Sequence, residues 1–163
     1  MTRLGDDMTQ SRSLLHAAFA WWMRQRWLVR APIWLFRARL GFVFGSRLLM
    51  VEHTGRKTGA RRYVVVEVIG HLRPGTCIVA ALPRAQWYRN IQANSSVRVS
   101  VGARHLVPAT ARPLTAAEKP AVLDGYAQRH PRMWAAMGSV FEDILGGPLA
   151  EAPIIALELR KQA

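Results

Sequence analysis

The sequence predicts an α+β domain: about six mainly antiparallel strands forming a small barrel or strongly curved sheet, with helices ahead of it and two more flanking it. Three observations predict this. The chain has 163 residues, enough for one domain with a sizeable core and hardly enough for two. After Gly45 the pattern changes from helical to short β-branched and apolar runs punctuated by Gly and Pro. The linkers between those runs are short, which favours antiparallel neighbours.

The elements follow in order. Residues 1–12, MTRLGDDMTQSR, are polar and without periodicity, and read as a disordered terminus. Residues 13–45 form an N-terminal helical segment. From Ser13 to Phe44 it carries four of the six Trp and no acid, and Pro32 divides it into two helices. Its longest uncharged run, Ser13 to Met23, is shorter than the roughly 18 apolar residues a spanning helix needs. Asp6 and Asp7, with no small-residue cleavage pattern after the Trp pair, argue against a secretory signal. Two readings stand for this segment. It packs on its own domain with its arginines in solvent, or it lies on an anionic bilayer with Trp and Phe at headgroup depth and Arg24, Arg26, Arg30, Arg37 and Arg39 on phosphates. The arginines do not share one helical face, which favours packing.

Residues 46–163 carry the barrel. Strands are expected at Arg47–His53, Arg61–Gly70, Thr76–Leu82, Val97–Val101 and His105–Pro113, the last two joined through Gly102, Ala103 and Arg104, and a sixth at Ile154–Leu159. Thr115 and Glu118 have capping-box spacing at the head of a helix reaching His130. A second helix is expected from about Pro131 to Ile144, before the Gly146-Gly147-Pro148 break.

Charge narrows the function. Lys and Arg number 23 against 10 Asp and Glu, a net charge of +13, in a chain that is 50% hydrophobic. Such a balance in a globular protein predicts an anionic partner: phosphate, membrane surface, nucleic acid or polyanionic cofactor. Residues 1–112 hold 18 basic and 4 acidic side chains, so the charge is polarised along the chain. Arg outnumbers Lys by 20 to 3, which suits bidentate phosphate binding or reflects genome composition. One cysteine, Cys77, excludes an intrachain disulfide and reads as buried. The five histidines show no HExxH or HxH pair, so no metal centre is expected. Nucleic-acid binding lacks a reader motif and ranks last.

Two segments carry chemistry. Thr54-Gly55-Arg56-Lys57-Thr58-Gly59, with Arg61 and Arg62 beyond, sits between two strands; its glycines permit a tight turn, its Thr hydroxyls can donate, and four cations fall within seven residues. These are the parts of an anion-binding loop, although a solvated basic hairpin has the same composition. It is no Walker loop, because GxxxxGK[ST] is absent. The second segment is Gln86 to Asn94. On a helix, Trp87, Asn90 and Asn94 share a face, with Tyr88 and Ile91 adjacent, offering aromatic surface and amides to a planar heterocycle; alternatively Trp87 fills the barrel end. Without G-x-S-x-G, paired carboxylates or GxGxxG, an enzyme built from this inventory would rely on a cofactor, and redox transfer is the natural class.

The strand ending in EH, the TGRKTG loop with its downstream Arg, the following hydrophobic strand and WYRNIQAN before VRVSVG together resemble the deazaflavin-dependent nitroreductase family, from about Leu48 to Arg112. The stretch EKPAVLDGYAQRHP extends the likeness to about Pro131. The resemblance implies a split β-barrel of the flavin-mononucleotide-binding superfamily and coenzyme F-420, an 8-hydroxy-5-deazaflavin with a phosphate and an oligoglutamate tail, with FMN as the alternative cofactor. Position by position, it implies that Gly55, Arg56, Lys57 and Thr58 hold the phosphate with Arg62, that Ala80, Ala81 and Leu82 lie beside the ring, and that Trp87, Tyr88 and Asn90 complete that wall. Tyr63, Tyr126, Trp134 and Met137 are candidates for the substrate side, or core residues. The C-terminal segment FEDILGGPLAEAPIIALELR has no tyrosine, unlike the nitroreductase branch, so nitro-drug and menaquinone activity are not implied.

The resulting expectation is a cytoplasmic F-420-dependent oxidoreductase, monomer or homodimer, transferring a hydride to a small conjugated acceptor of quinone or nitro type. The competing expectation is a binding protein holding flavin, tetrapyrrole or lipid without turnover, peripheral on the inner face of the cell membrane through its Trp/Arg-rich N-terminus.

Overall fold

Strand alternation sets the architecture. The structure, a computed structural model, describes residues 26–135 and 151–160. The expected terminus over 1–12, the helical residues 13–25, Met137 and the rest of the helix expected to Ile144 lie outside the described residues. Six strands are present: β1 (Leu48–Thr54), β2 (Arg61–Gly70), β3 (Thr76–Ala80), β4 (Ser96–Val101), β5 (Arg104–Pro113) and β6 (Ile154–Leu159). They close into a barrel in the order β1-β2-β3-β6-β5-β4, every pair antiparallel. The closing strand β6 inserts between β3 and β5, pairing Ala80 with Ile154 and Pro113 with Ile155.

Alternate residues of each strand therefore point inside the barrel and outside it. The interior holds Leu49 and Val51 of β1, Cys77 and Val79 of β3, Val97 and Val99 of β4, Ala109 and Ala111 of β5, and Ile155 and Leu157 of β6, all buried. The small Ala and Val side chains let six strands curve this tightly. A second core lies outside the sheet, where Ile78, Ile154 and Ala156 meet the helix α3 (Lys119–Arg129) through Val122, Leu123 and Tyr126. Cys77 is the buried structural thiol expected, and burial pushes its pKa up, away from nucleophilic use.

Several local expectations are revised. Pro32 does not divide the helix: α1 runs from Arg26 to Arg37 through it. Proline forfeits one main-chain bond there, while Phe36, 1% exposed and stacked on Phe44 at 5.6 Å, anchors the C-terminal half. A short 3₁₀ helix, Gly41–Phe44, then leads into β1. β3 stops at Ala80 rather than Leu82: the Ala81 N–H still donates to the Pro153 carbonyl in register, but Pro153 has no N–H to return a bond and Pro83 restrains Leu82. The β4–β5 loop is two residues, Gly102 and Ala103, with Arg104 already paired to Val101 and Gly102 at φ 55°. The capping box forms as expected: Thr115 N–H donates to Glu118 Oε2 at 2.9 Å and Glu118 N–H donates to Thr115 Oγ1 at 3.3 Å. Residues 131–135 are helical.

Strand polarity defines two barrel ends. Thr54, Ala80, Ser96, Pro113 and Ile154 mark one, called here the mouth; Leu48, Gly70, Thr76, Val101 and Leu159 mark the other. The helix α2 (Gln86–Ala93) lies at the mouth between β3 and β4, and Trp87, Tyr88 and Ile91 pack on the interior core.

Candidate anion-binding site at the barrel mouth

The hairpin loop joining β1 to β2 builds the site. Thr54 pairs with Arg61, and between them Gly55 N–H donates to the Ala60 carbonyl at 2.8 Å and Gly59 N–H to the Gly55 carbonyl at 2.8 Å. Gly59 has φ +68°, the left-handed region that favours glycine. A Cβ on Gly55 would lie 2.9 Å from Arg62 Nε and 3.1 Å from Thr58 Oγ1, so a side chain there would push on both. Thr58 Oγ1 also accepts from Ala60 N–H at 3.4 Å.

Helix α2 supplies the opposite wall. Gln86 and Asn90, one turn apart, face the loop. Asn90 Oδ1 accepts from Arg56 N–H at 3.2 Å and from Arg56 Nη1 at 2.9 Å, and Gln86 Oε1 accepts from Arg56 Nη2 at 3.0 Å. Behind Asn90, its Nδ2 lies 3.3 Å from Nδ1 of the buried His53. Burial and the Arg62 guanidinium, in that order, hold the His53 pKa below its ordinary value.

The result is a cavity of about 140 Å³ lined by Gly55, Arg56, Lys57, Thr58, Arg62, Gln86 and Asn90. It contains three cationic side chains and no carboxylate. Lys57 and Arg62 are exposed and have no hydrogen-bond or ion-pair partner among the described residues. The space is open to solvent on one side and takes several waters or one phosphate with its first substituents. The donor set fits a phosphate or carboxylate.

Six of the residues expected from the sequence thus meet in one cavity: Gly55, Arg56, Lys57, Thr58, Arg62 and Asn90. Ala80, Ala81 and Leu82 lie at the same barrel end, Ala81 buried in the interior core and Leu82 half-buried, but outside this cavity. Trp87 and Tyr88 turn to the core, edge to face at 6.5 Å, so Trp87 fills the barrel end. Asn94 does not continue the Trp87–Asn90 face. It ends the helix, its Oδ1 accepting from Ser96 N–H at 3.0 Å.

The substrate-side candidates disperse. Tyr63 points outward from β2 opposite Glu52, with the Arg37 guanidinium 5.4 Å above its ring. Burial and then Glu52 push its pKa up. Tyr126 is 2% exposed in the outer core, its hydroxyl donating to Glu67 Oε1 at 3.4 Å, and Trp134 packs edge-on against it at 6.5 Å. Burial, first, and the Glu67 charge push the Tyr126 pKa up to about 12.

His53 escaped sequence reasoning. Its signal was phase: it follows Leu49 and Val51 at every second residue, a polar group on the inward side of a strand. Gln86 was within the segment singled out but was not assigned to the site. A larger groove of about 1050 Å³ opens at the far end, between Arg73, Arg104, His105 and Arg160. Its carboxylate, Glu158, is already held by Arg73 at 2.8 Å and Arg112 at 3.0 Å, and it is remote from the loop.

Comparison with known proteins agrees with this architecture. A solved structure described as an F420-H2 dependent reductase (FDR-A) is 23% identical, with a TM-score of 0.53 over 69% of this chain and 94% of its own. Another, described as a domain-swapped dimer, is 22% identical at a TM-score of 0.52 over 70% of this chain and 81% of its own. A protein of unknown function from Agrobacterium tumefaciens reaches a TM-score of 0.54 at 16% identity, over 81% of this chain and 56% of its own. These likenesses establish the split-barrel fold. No match was found among curated proteins. Residues 30–139, which include the whole loop and α2, match the family model described as F420H(2)-dependent quinone reductase. The chain therefore belongs to the F420H(2)-dependent quinone reductase family, a family of F-420-dependent oxidoreductases.

Proposed function

We propose that this protein transfers a hydride from reduced coenzyme F-420 to a small conjugated acceptor of quinone type. The observation that carries the reading is the cavity at the mouth, where Arg56, Lys57 and Arg62 converge with no carboxylate among them. When bound, the reduced deazaflavin supplies two electrons and a proton as hydride, and the acceptor takes a further proton from solvent to become the hydroquinone. The chain's own part is binding and orientation. Gly55, Lys57, Thr58 and Arg62 hold the cofactor phosphate, and Arg56, fixed by Asn90 and Gln86, adds a preoriented charge. Leu82 and α2, at the same barrel end, would border the ring. No described side chain is assigned as acid or base, and rate enhancement comes from proximity and orientation. FMN carries a comparable phosphate, and its use is supported at the level of fold alone.

The test is fluorescence titration of the full chain with coenzyme F-420 and with FMN, then anaerobic turnover of the reduced cofactor with a quinone panel. Micromolar affinity for F-420, on the order of −8 kcal/mol, and loss of most of it in Arg56→Ala/Lys57→Ala are expected. Absence of any fluorescence change with F-420 would sink the assignment. Residues 46–163 are the proposed cofactor domain, with 13–45 as an appended helical segment.

A peripheral membrane contact is a second, compatible reading. Phe36 is buried against Phe44, yet Trp34 is 66% exposed with the Arg37 guanidinium 5.2 Å from its ring, and Phe42 and Val43 are 58% and 66% exposed. Aromatic and aliphatic side chains interleaved with guanidinium groups fit an anionic interface. Among the described residues no helix is long and apolar enough to cross a membrane. Co-sedimentation with phosphatidylglycerol vesicles should fall in Trp34→Ser/Phe42→Ser; equal partitioning of variant and parent would remove this role.

A further inference from the structure

The amide of Asn90 is buried, 3% exposed, and its orientation is determined by its neighbours. The main-chain N–H and Nη1 of Arg56, at 3.2 and 2.9 Å, can only donate, so Oδ1 faces them. Nδ2 therefore faces His53 and donates to Nδ1 at 3.3 Å. That bond needs a lone pair on Nδ1, which means a neutral imidazole with its proton on Nε2. Burial, first, and then the Arg62 charge favour the neutral imidazole, against a main-chain hydrogen bond to Thr54 that favours the charged one. Arg62 faces it from β2, and Arg56 stands behind Asn90 in the loop. Glu52, next along β1, points to the other side of the sheet, where Arg98 at 3.5 Å and Arg61 at 4.0 Å take its carboxylate. Arg89 of α2 is exposed to solvent.

We propose that Asn90 is a positioning residue for the anion loop and that neutral His53 sets it: the imidazole orients the amide, the amide seats Arg56, and Arg56 carries the loop into its binding form. The proposal rests on the loop being the cofactor-phosphate site. Its consequence is a reversed pH dependence. Protonation of Nδ1 would bring N–H against N–H, which the amide relieves by turning over. Nδ2 would then face the two Arg56 donors, and both bonds from Arg56 to Asn90 would be lost, leaving Gln86 Oε1 as the remaining hold of α2 on the loop. A protonated His53 and a seated loop exclude one another. An ordinary basic site gains anion affinity on acidification, because histidine adds charge; this one loses it.

Replacing Asn90 with Asp inverts the relation. A carboxylate still accepts from Arg56 and now pairs with the imidazolium, so the loop seats when His53 is protonated.

The experiment uses the full chain, ¹⁵N-labelled, with sulfate as the probe because it remains a dianion across the range. Sulfate affinity is measured from amide shifts at constant ionic strength, and His53 is followed through its imidazole C–H resonances. In the parent, affinity is expected to weaken roughly tenfold from neutral to mildly acid pH, with the Arg56 amide moving at the His53 midpoint; in Asn90→Asp, affinity rises over the same interval. Parent affinity that rises on acidification, or an Arg56 amide that ignores His53, would overturn the proposal. An Arg56 amide that follows His53 while residues 55–62 show no sulfate shift at any pH supports the positioning role and overturns the phosphate-site reading. The parent amide measurement needs no variant, so it decides the matter even if Asn90→Asp fails to fold.

Discussion

Removal of Lys57 and Arg62 separates a local anion site from the general field of a +13 protein. Both side chains line the cavity and both are exposed. A unit charge pair at contact is worth about 1 kcal/mol in water-like surroundings and about 4 kcal/mol at an effective dielectric near 20. Exposure puts these two near the lower limit, at about 1–2 kcal/mol each, or about 5- to 30-fold in Kd. The double variant Lys57→Ala/Arg62→Ala should then lose on the order of a hundredfold in affinity for coenzyme F-420. The control is Arg104→Ala/Arg160→Ala, which removes the same charge from the groove at the far barrel end. Beyond a Debye length of about 8 Å in physiological salt, that change should scarcely register. The assay is fluorescence titration at low and high salt, with a shallower salt dependence expected for Lys57→Ala/Arg62→Ala than for the control. Equal losses in the two double variants would refute the reasoning, since affinity would then follow net charge and not the loop.

Other consequences are open to measurement. Ala at Gly59 must adopt φ +68°, which costs about 1 kcal/mol, whereas Ala at Gly55 pushes on Arg62 and Thr58; calorimetry should show a lower Tm for Gly59→Ala, and titration a larger binding defect for Gly55→Ala. Phe36→Ala removes the buried anchor of α1 and should destabilise by about 3–5 kcal/mol in urea unfolding, with circular dichroism showing helix loss if α1 detaches. The Arg112 guanidinium and the Thr115 N–H hold the Glu118 carboxyl down at about 2. A depressed carboxyl contributes stability above its unfolded value and loses it as pH falls, so the contribution should fade between about 4.5 and about 2. Glu118→Gln should flatten that part of the acid unfolding profile. Gln86→Glu should tighten the clasp on Arg56 while weakening F-420 binding, a combination read from Tm and titration on the same sample.

Legibility in the sequence followed the range of the interactions. Ile154–Leu159 was readable to the residue because β-branched runs between breakers form strands wherever they pair. Where β6 pairs was not readable, since insertion between β3 and β5 depends on partners 74 and 44 residues away, as in Ala80 with Ile154 and Arg112 with Ala156. The capping box of Thr115 and Glu118 is local and was readable; continuation of α1 through Pro32, toward a Phe36 buried against Phe44, was not. The basic loop announced itself through Gly and Arg spacing, and the resemblance added the cofactor class. The clasp between Arg56 and Asn90 spans 34 positions, and no pattern within either segment specifies it. His53 stands between these cases, since its strand phase pointed inward before any partner was known.

The acceptors that hold each arginine divide the twenty of them in a way that composition does not. Arg112 donates through Nη1 and Nη2 to Glu118 at 2.8 Å each and through Nε to Glu158 at 3.0 Å, which fixes its geometry and cancels its charge. Arg98 likewise faces the buried Glu52 at 3.5 Å. Arg56 is fixed as firmly, by two amide oxygens, but amides carry no charge to cancel it. Its guanidinium is preoriented and still a full cation, beside Lys57 and Arg62, which have no acceptor among the described residues. Three uncompensated charges in one small cavity repel one another in the free protein, and a bound phosphate relieves that repulsion as well as forming its own contacts. Ligand binding should therefore stabilise the loop end of the barrel by mass action, by about 2.7 kcal/mol at a hundredfold excess over Kd. Neutral amide acceptors around a cation are the mark of a site kept ready for an external anion, and within the described chain that arrangement occurs at Arg56.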